Sequence, residues 1–125
     1  MNNEVEIPRG VLELILHASR SSYPNEFAAL LRGEGMRIKE ALPLPGNMQG
    51  RRSAPINLNM LPIDSRAIGS VHSHPSGNTR PSEADLLFFS KRGNVNLIVG
   101  SPYQSLQDVS VYDSGGEELE IRVIE

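Results

Sequence analysis

Apolar residues return along the chain in two rhythms, and the changes between them divide it into elements. Val11, Leu14, Ile15 and Ala18 fall at i, i+3, i+4 and i+7, the spacing that stacks side chains on one face of an α-helix. Pro8 suits the first turn of that helix, where a missing N–H loses no partner, and Ser21-Ser22-Tyr23-Pro24-Asn25 ends it. Glu26 to Arg32 (EFAALLR) is a short apolar run halted by Gly33-Glu34-Gly35, readable as a buried strand or a stub of helix. Arg37 to Leu44 alternates apolar and polar residues, so the two segments predict a hairpin. Gly46 to Pro55 is polar and reads as a loop, Ile56 to Met60 as a strand, and Leu61 to Arg66 as a connection.

Ala67 to His74 (AIGSVHSH) predicts a central strand stopped by Pro75, with a loop running to Pro81. Ser82 opens a second helix, with Leu86, Phe88 and Phe89 on its buried side and an end near Gly93. Asn94 to Val99, Asp108 to Tyr112 and Glu117 to Ile124 predict strands, the last two joined by a tight turn at Asp113-Ser114-Gly115-Gly116. Strands outnumber helices and several neighbours are hairpin-like. The fold class is therefore α/β, a mixed, largely antiparallel curved sheet flanked by two main helices.

Length and charge narrow the functions this fold can host. A chain of 125 residues builds one core, so residues 1–125 are read as a single domain. Twelve basic against fifteen acidic residues leave a net charge of −3, which argues against a main role in gripping nucleic acid or anionic lipid. No apolar run approaches the roughly 18 residues of a membrane span, and Met1-Asn2-Asn3-Glu4 lacks the basic patch and apolar region of a signal peptide. These features place the chain in the cytosol. The absence of cysteine excludes disulfides, Cys-type zinc knuckles, iron–sulfur clusters and a cysteine nucleophile.

Chemistry concentrates in His72-Ser73-His74-Pro75-Ser76-Gly77-Asn78-Thr79-Arg80-Pro81-Ser82-Glu83-Ala84-Asp85. On an extended strand, residues two apart point the same way, so His72 and His74 present both imidazoles to one side. Two imidazoles supply half of a tetrahedral zinc site, and Asp85 in the first turn of the next helix offers a third, anionic ligand. Three protein ligands leave one position open, as in catalytic rather than structural zinc sites. Each part has a plainer reading. Ser82-x-x-Asp85 is also a capping box, Ser82 as N-cap and Asp85 at N3, and two surface histidines on a strand need no metal. The capping and metal roles are compatible.

Glu26, then His72-Ser73-His74-Pro75, then Ser82-Glu83-Ala84-Asp85 resembles the signature of the JAMM (MPN+) metalloproteases: a distant Glu, His-x-His-Pro, seven residues to Ser, two more to Asp. Pro24-Asn25-Glu26-Phe27-Ala28-Ala29-Leu30-Leu31 and Asn57-Leu58-Asn59-Met60-Leu61-Pro62 are similar to the short, free-standing archaeal members, so the likeness covers essentially the whole chain. The resemblance implies a cytidine-deaminase-like MPN fold and an isopeptidase with one Zn²⁺ per chain, held by His72, His74 and Asp85. Glu26 would be the general base that takes the water's proton and hands it to the leaving amine. Ser82 would hydrogen-bond the water or the oxyanion. The implied substrate is the bond after the C-terminal Gly-Gly of ubiquitin or a ubiquitin-like modifier on protein lysines. Its partners are that modifier and its conjugates, and the chain itself is a monomer or weak homodimer.

Other residues carry less. His17 sits among Leu14, Ile15, Leu16 and Ala18 and reads as a packed or surface histidine. Asn78 and Arg80 lie in the loop after the histidines, where polarity alone explains them. Arg51-Arg52 reads as a solvated loop, and Asp64 and Ser65 reach substrate only if their loop borders the cleft. Glu13 and Glu34 are poorer bases than Glu26, one on an exposed helix face, the other in a turn. Ile56 to Met60 is the candidate edge for an extended substrate tail. Three alternatives remain: processing of a ubiquitin-like sulfur-carrier precursor, a non-catalytic MPN scaffold, and a DNA-associated role suggested by the similarity of His74-Pro75-Ser76-Gly77 to the RadC-type branch.

Overall fold

The structure, a computed structural model, describes residues 4–43 and 66–125. In chain order it runs β1 (Glu4–Pro8), α1 (Arg9–Ser22), β2 (Ala28–Glu34), β3 (Arg37–Pro43), β4 (Ala67–His74), α2 (Glu83–Arg92), β5 (Val95–Gly100), a 3-10 turn (Leu106–Asp108), β6 (Val109–Tyr112) and β7 (Glu118–Ile124). The predicted strand at Ile56 to Met60, the loop at Gly46 to Pro55 and the positions of Arg51, Arg52, Asp64 and Ser65 lie outside the described residues.

The segment EFAALLR is strand, not helix. β2 and β3 form the antiparallel hairpin, with Leu30 opposite Leu42, and β2 pairs antiparallel with β4 on its other side, with Ala28 opposite His72. Four neighbouring pairs are antiparallel and three parallel, so the sheet is mixed as expected. Its curvature goes further than the pattern indicated, into a closed barrel in the order β1-β3-β2-β4-β5-β6-β7. Closure depends on β1, a strand absent from the sequence reading, which pairs parallel with both β7 and β3. Val5 and Ile7 are fully buried between half-buried Glu4 and Glu6. That alternation is a strand signal, but it is only five residues long.

One core joins residues from all seven strands to α1: Val5, Ile7, Leu12, Ile15, Leu16, Leu31, Ile38, Val71, Leu97 and Val111, with Leu119 and Ile121 at its edge. A second, smaller core packs Phe88 and Phe89 of α2 against Ala28, Leu30, Ile98 and Tyr112. Adjacent residues of β2 thus serve different cores, Ala29 and Leu31 one and Ala28 and Leu30 the other, as strand alternation requires.

The helical stripes need correction. The buried face of α1 is Leu12, Ile15, Leu16 and Ser19, one position away from the expected stripe. Val11 and Ala18 fall at its margin, and Leu14 is 46% exposed. Ser19 enters the apolar face because its hydroxyl donates to the carbonyl of Ile15 (2.8 Å), which satisfies it without water. On α2, Phe88 and Phe89 are buried as predicted, but Leu86 lies to one side, 39% exposed, and Asp85 takes the inward place. β6 and β7 meet at the expected turn. There Asp113 Oδ1 accepts the N–H groups of Gly115 (2.9 Å) and Glu117 (3.0 Å), and Gly116 adopts φ +84°, a left-handed conformation that favours glycine. Among the described residues, no helix is long and apolar enough to cross a membrane.

Candidate metal centre

β4 and β5 run parallel in register, His72 beside Ile98 and His74 beside Gly100. Parallel neighbours need a crossover, here α2, which must begin where β4 ends. The first turn of α2 is thereby delivered to the C-terminal end of β4. Alternation along β4 sends Val71 into the α1 core and His72 to the opposite face, where its ring lies 6.4 Å from that of Phe89.

His72, His74 and Asp85 converge there. The two Nε2 atoms are 3.2 Å apart. Asp85 sets Oδ1 at 3.3 Å from Nε2 of His72 and Oδ2 at 3.4 Å from Nε2 of His74. Ligand atoms about 2.0–2.1 Å from a tetrahedral ion are about 3.3 Å apart, so the donor set fits zinc in both chemistry and spacing. His72 and Asp85 are buried, with 4% and 6% of their surface exposed, while His74 is half-buried and opens the cluster to one side.

Neighbouring groups hold these side chains. Nδ1 of His74 donates to the carbonyl of Asn78 (2.8 Å), which leaves a lone pair on Nε2 facing the cluster, the arrangement of metal-binding histidines. The tyrosine hydroxyl of Tyr103 donates to the carbonyl of His74 (2.9 Å), and that of Tyr112 to the carbonyl of Thr79 (2.8 Å), so two buried tyrosines pin both ends of the loop. Nδ1 of His72 is buried and finds no hydrogen-bond partner among the described residues.

Both readings of Ser82-x-x-Asp85 hold at once. The Ser82 hydroxyl accepts the Asp85 N–H (3.1 Å), and Asp85 Oδ2 accepts the Ser82 N–H (2.9 Å), a complete capping box on α2. Burial alone would raise the Asp85 pKa. Hydrogen bonds from His72 and His74, the charge of His72 and the Ser82 amide outweigh it and hold the carboxyl far below the usual carboxylate range. Burial likewise disfavours charged His74, yet its bonds to Asp85 and to the Asn78 carbonyl, with the charges of Asp85 and Glu26, raise its pKa.

Glu26 sits two residues beyond the β2·β4 ladder, which ends at Ala28. Continuing the register from Ala28 opposite His72 places Glu26 opposite His74 on the same face. It is half-buried, and its charge acts on His74 and Tyr103. All five residues marked in the sequence therefore gather at one end of β4. His17 is exposed on α1, away from this cluster. Asn78 contributes its backbone carbonyl rather than its side chain, which instead accepts the Arg80 N–H (3.0 Å). The sequence reading missed Tyr103, Tyr112 and Ser73. A carbonyl partner leaves no trace in a sequence, and the two tyrosines lie far along the chain from the loop they secure.

Residues 8–112 match the family described as prokaryotic homologs of the JAB domain. This chain belongs to the JAMM/MPN+ family. A probable metalloprotease of Haloferax volcanii is 37% identical over 97% of this JAMM domain and 80% of its own length. A structure described as a metalloprotease-like zinc site in the proteasome and signalosome superposes with a TM-score of 0.75 at 36% identity, covering 97% of this chain and 98% of that one. A JAB1/MPN domain protein from Archaeoglobus fulgidus gives the same TM-score, 0.75, at 35% identity with the same coverage of 97% and 98%. The JAMM domain thus shares the fold of a structure described as a metalloprotease-like zinc site, and its own His72, His74 and Asp85 gather where they could hold a metal ion.

Proposed function

We propose that this JAMM domain is a zinc-dependent isopeptidase that hydrolyses the bond between the C-terminal Gly-Gly of ubiquitin or a ubiquitin-like modifier and a lysine amine. The observation that carries the reading is the convergence of two imidazoles and one carboxylate: the two Nε2 atoms lie 3.2 Å apart, and each lies 3.3 or 3.4 Å from one oxygen of Asp85. The likeness to a probable metalloprotease supports the reaction class, and the family resemblance supports the modifier as substrate.

His72, His74 and Asp85 would hold one zinc ion, which when bound supplies Lewis acidity and makes water a nucleophile at neutral pH. Glu26, opposite His74, takes the proton from the attacking water and returns it to the leaving amine nitrogen. Ser82 keeps its hydroxyl hydrogen free while its oxygen caps α2, so it donates to the carbonyl oxygen as negative charge develops. A Gly-Gly tail suits a recessed centre because it carries no side chains to exclude. The protein would act in the cytosol on the modifier and its conjugates, without nucleic acid or membrane, as a monomer or weak homodimer.

The test is incubation with a lysine-linked modifier conjugate, with and without a zinc chelator. Cleavage is expected only without chelator, and Glu26→Gln should bind zinc normally while turnover falls roughly 10²–10⁴-fold. Cleavage that survives the chelator, or an unimpaired Glu26→Gln enzyme, overturns the proposal.

A further inference from the structure

We infer that Ser73, the residue between the two histidines, is a positioning residue that fixes Glu26 against the metal centre through the backbone of Phe27. The inference rests on the reaction proposed above, with Glu26 as its base.

Ser73 is fully buried and faces away from the cluster, since its neighbours on β4 face into it. Its hydroxyl accepts the N–H of Phe27 (2.8 Å), while its own N–H donates to the Phe27 carbonyl (2.9 Å). In a regular antiparallel pair the Phe27 N–H would return to the backbone carbonyl of Ser73. Here a side-chain oxygen takes that bond, and β2 is held for one rung past its last ladder residue, Ala28. The residue next to that rung is Glu26. On its other side the chain turns at once, with the Asn25 N–H donating to the Ser22 carbonyl (2.7 Å), so the Phe27–Ser73 clamp fixes the backbone where the ladder stops.

A general base acts only within hydrogen-bond reach of the proton it takes, and displacements of about 1 Å can cost on the order of 10²-fold. Ser70, also on β4, shows what a purely structural buried serine looks like: its hydroxyl bonds to Oδ1 of Asn96 (3.0 Å), its pairing partner on β5. The hydroxyl of Ser73, by contrast, reaches the residue adjoining the base. Removing it should misplace Glu26 and leave the metal ligands where they are.

The experiment uses the zinc-loaded full chain and a lysine-linked modifier conjugate, comparing wild type, Ser73→Ala, Glu26→Gln and the double variant. Ser73→Ala should lower kcat roughly tenfold with KM and zinc Kd within about twofold of wild type. In the Glu26→Gln background it should change turnover less than about twofold, because a residue acting through Glu26 has nothing left to position. Hydrogen exchange at the Phe27 amide, read in zinc-free and zinc-loaded protein alike, should accelerate at least about tenfold as the bond is lost. Wild-type kcat in Ser73→Ala, an equal further loss in the Glu26→Gln background, a fall in zinc affinity that tracks the fall in turnover, or unchanged Phe27 exchange would each overturn the inference. Glu26→Gln turning over like wild type overturns the proposed reaction and this inference with it. An inactive Glu26→Gln beside an unimpaired Ser73→Ala overturns this inference alone.

Discussion

Asp85 does two jobs with one carboxylate, and two substitutions can separate them. Oδ2 caps α2 by accepting the Ser82 N–H (2.9 Å) and lies 3.4 Å from His74, while Oδ1 lies 3.3 Å from His72. Asp85→Asn keeps an oxygen for the cap and removes the anion; Asp85→Ala removes both. Ser82 still accepts the N–H of residue 85 in both variants, so Asp85→Ala loses one hydrogen bond of the box, worth about 0.5–1.5 kcal/mol and typically about 1. Zinc-free Asp85→Ala should therefore be less stable than zinc-free Asp85→Asn by about 1 kcal/mol, or about 3–5 °C in Tm for a domain of this size. The raised pKa of His74 contributes stability to wild type that is fully present below its unfolded value of 6.5 and is lost as pH rises through the folded value. The Asp85 carboxylate supplies the bond and charge that raise it, so both variants lack that support and the cap difference between them stands alone.

Zinc should treat the two variants alike. With free zinc at 100 times the wild-type Kd, binding stabilises wild type by about 2.7 kcal/mol. Loss of a partner that merely orients a ligand weakens metal binding about 10–100-fold, and loss of an anionic ligand should exceed that. At the same zinc concentration, either variant should then gain no more than about 0.4 kcal/mol. Thermal unfolding with and without zinc reads both quantities. A zinc-induced stabilisation of Asp85→Asn close to wild type would remove Asp85 from the ligand set. Equal zinc-free stability of the two variants would mean that the Asp85 bond of the capping box contributes nothing.

The proton should compete with the metal at Nε2 of His74. Because His74 titrates above 6.5 in the zinc-free protein, zinc affinity measured by competition with a chelating dye should begin to fall at higher pH than for an ordinary histidine, and keep falling as pH drops. Affinity flat from pH 8 to pH 6 would contradict this. At the root of the site, a Cβ on Gly69 would lie 1.6 Å from the carbonyl oxygen of Val95. Gly69→Ala should thus separate β4 from β5 and destabilise the fold by more than about 3 kcal/mol, seen as a denaturation midpoint far below wild type; a midpoint near wild type would show that the strands can part without cost.

What the sequence made legible follows from how local each signal is. β4 matches its predicted bounds, Ala67 to His74, because an apolar run stopped by proline needs no tertiary information. The capping box at Ser82 and Asp85 is as local, and α2 ends at Gly93 as read. The α1 stripe was displaced because its true fourth member is Ser19, whose polarity is neutralised by a bond inside the helix; a pattern of apolar residues cannot find it. β1 carries the strand alternation, but its meaning lies in β7, more than a hundred residues away, with which it closes the barrel. The support of His74 by the Asn78 carbonyl and by Tyr103 is of the same kind: one partner is backbone and the other is distant in sequence.

The spacing of the site follows from its topology. With β5 parallel to β4, the chain leaving His74 must climb onto the sheet face and start a helix there. Asp85 at the third helical position turns back toward the strand and is buried, whereas Glu83, two residues earlier and about 200° around the axis, is exposed. A carboxylate at that third position can reach the helix's own free N–H groups and the strand-end imidazoles together, and the positive end of the helix dipole favours its charge. Ser82 and Asp85 are therefore bound to each other by helix geometry, independent of any metal. The seven residues between His74 and Ser82 serve a different requirement, the length of the climb. They are held at the required shape by the bonds from Tyr112 to Thr79 and from His74 to Asn78. The short interval is thus set by helix capping and the longer one by strand-to-helix distance, so the metal centre depends on both being met at once.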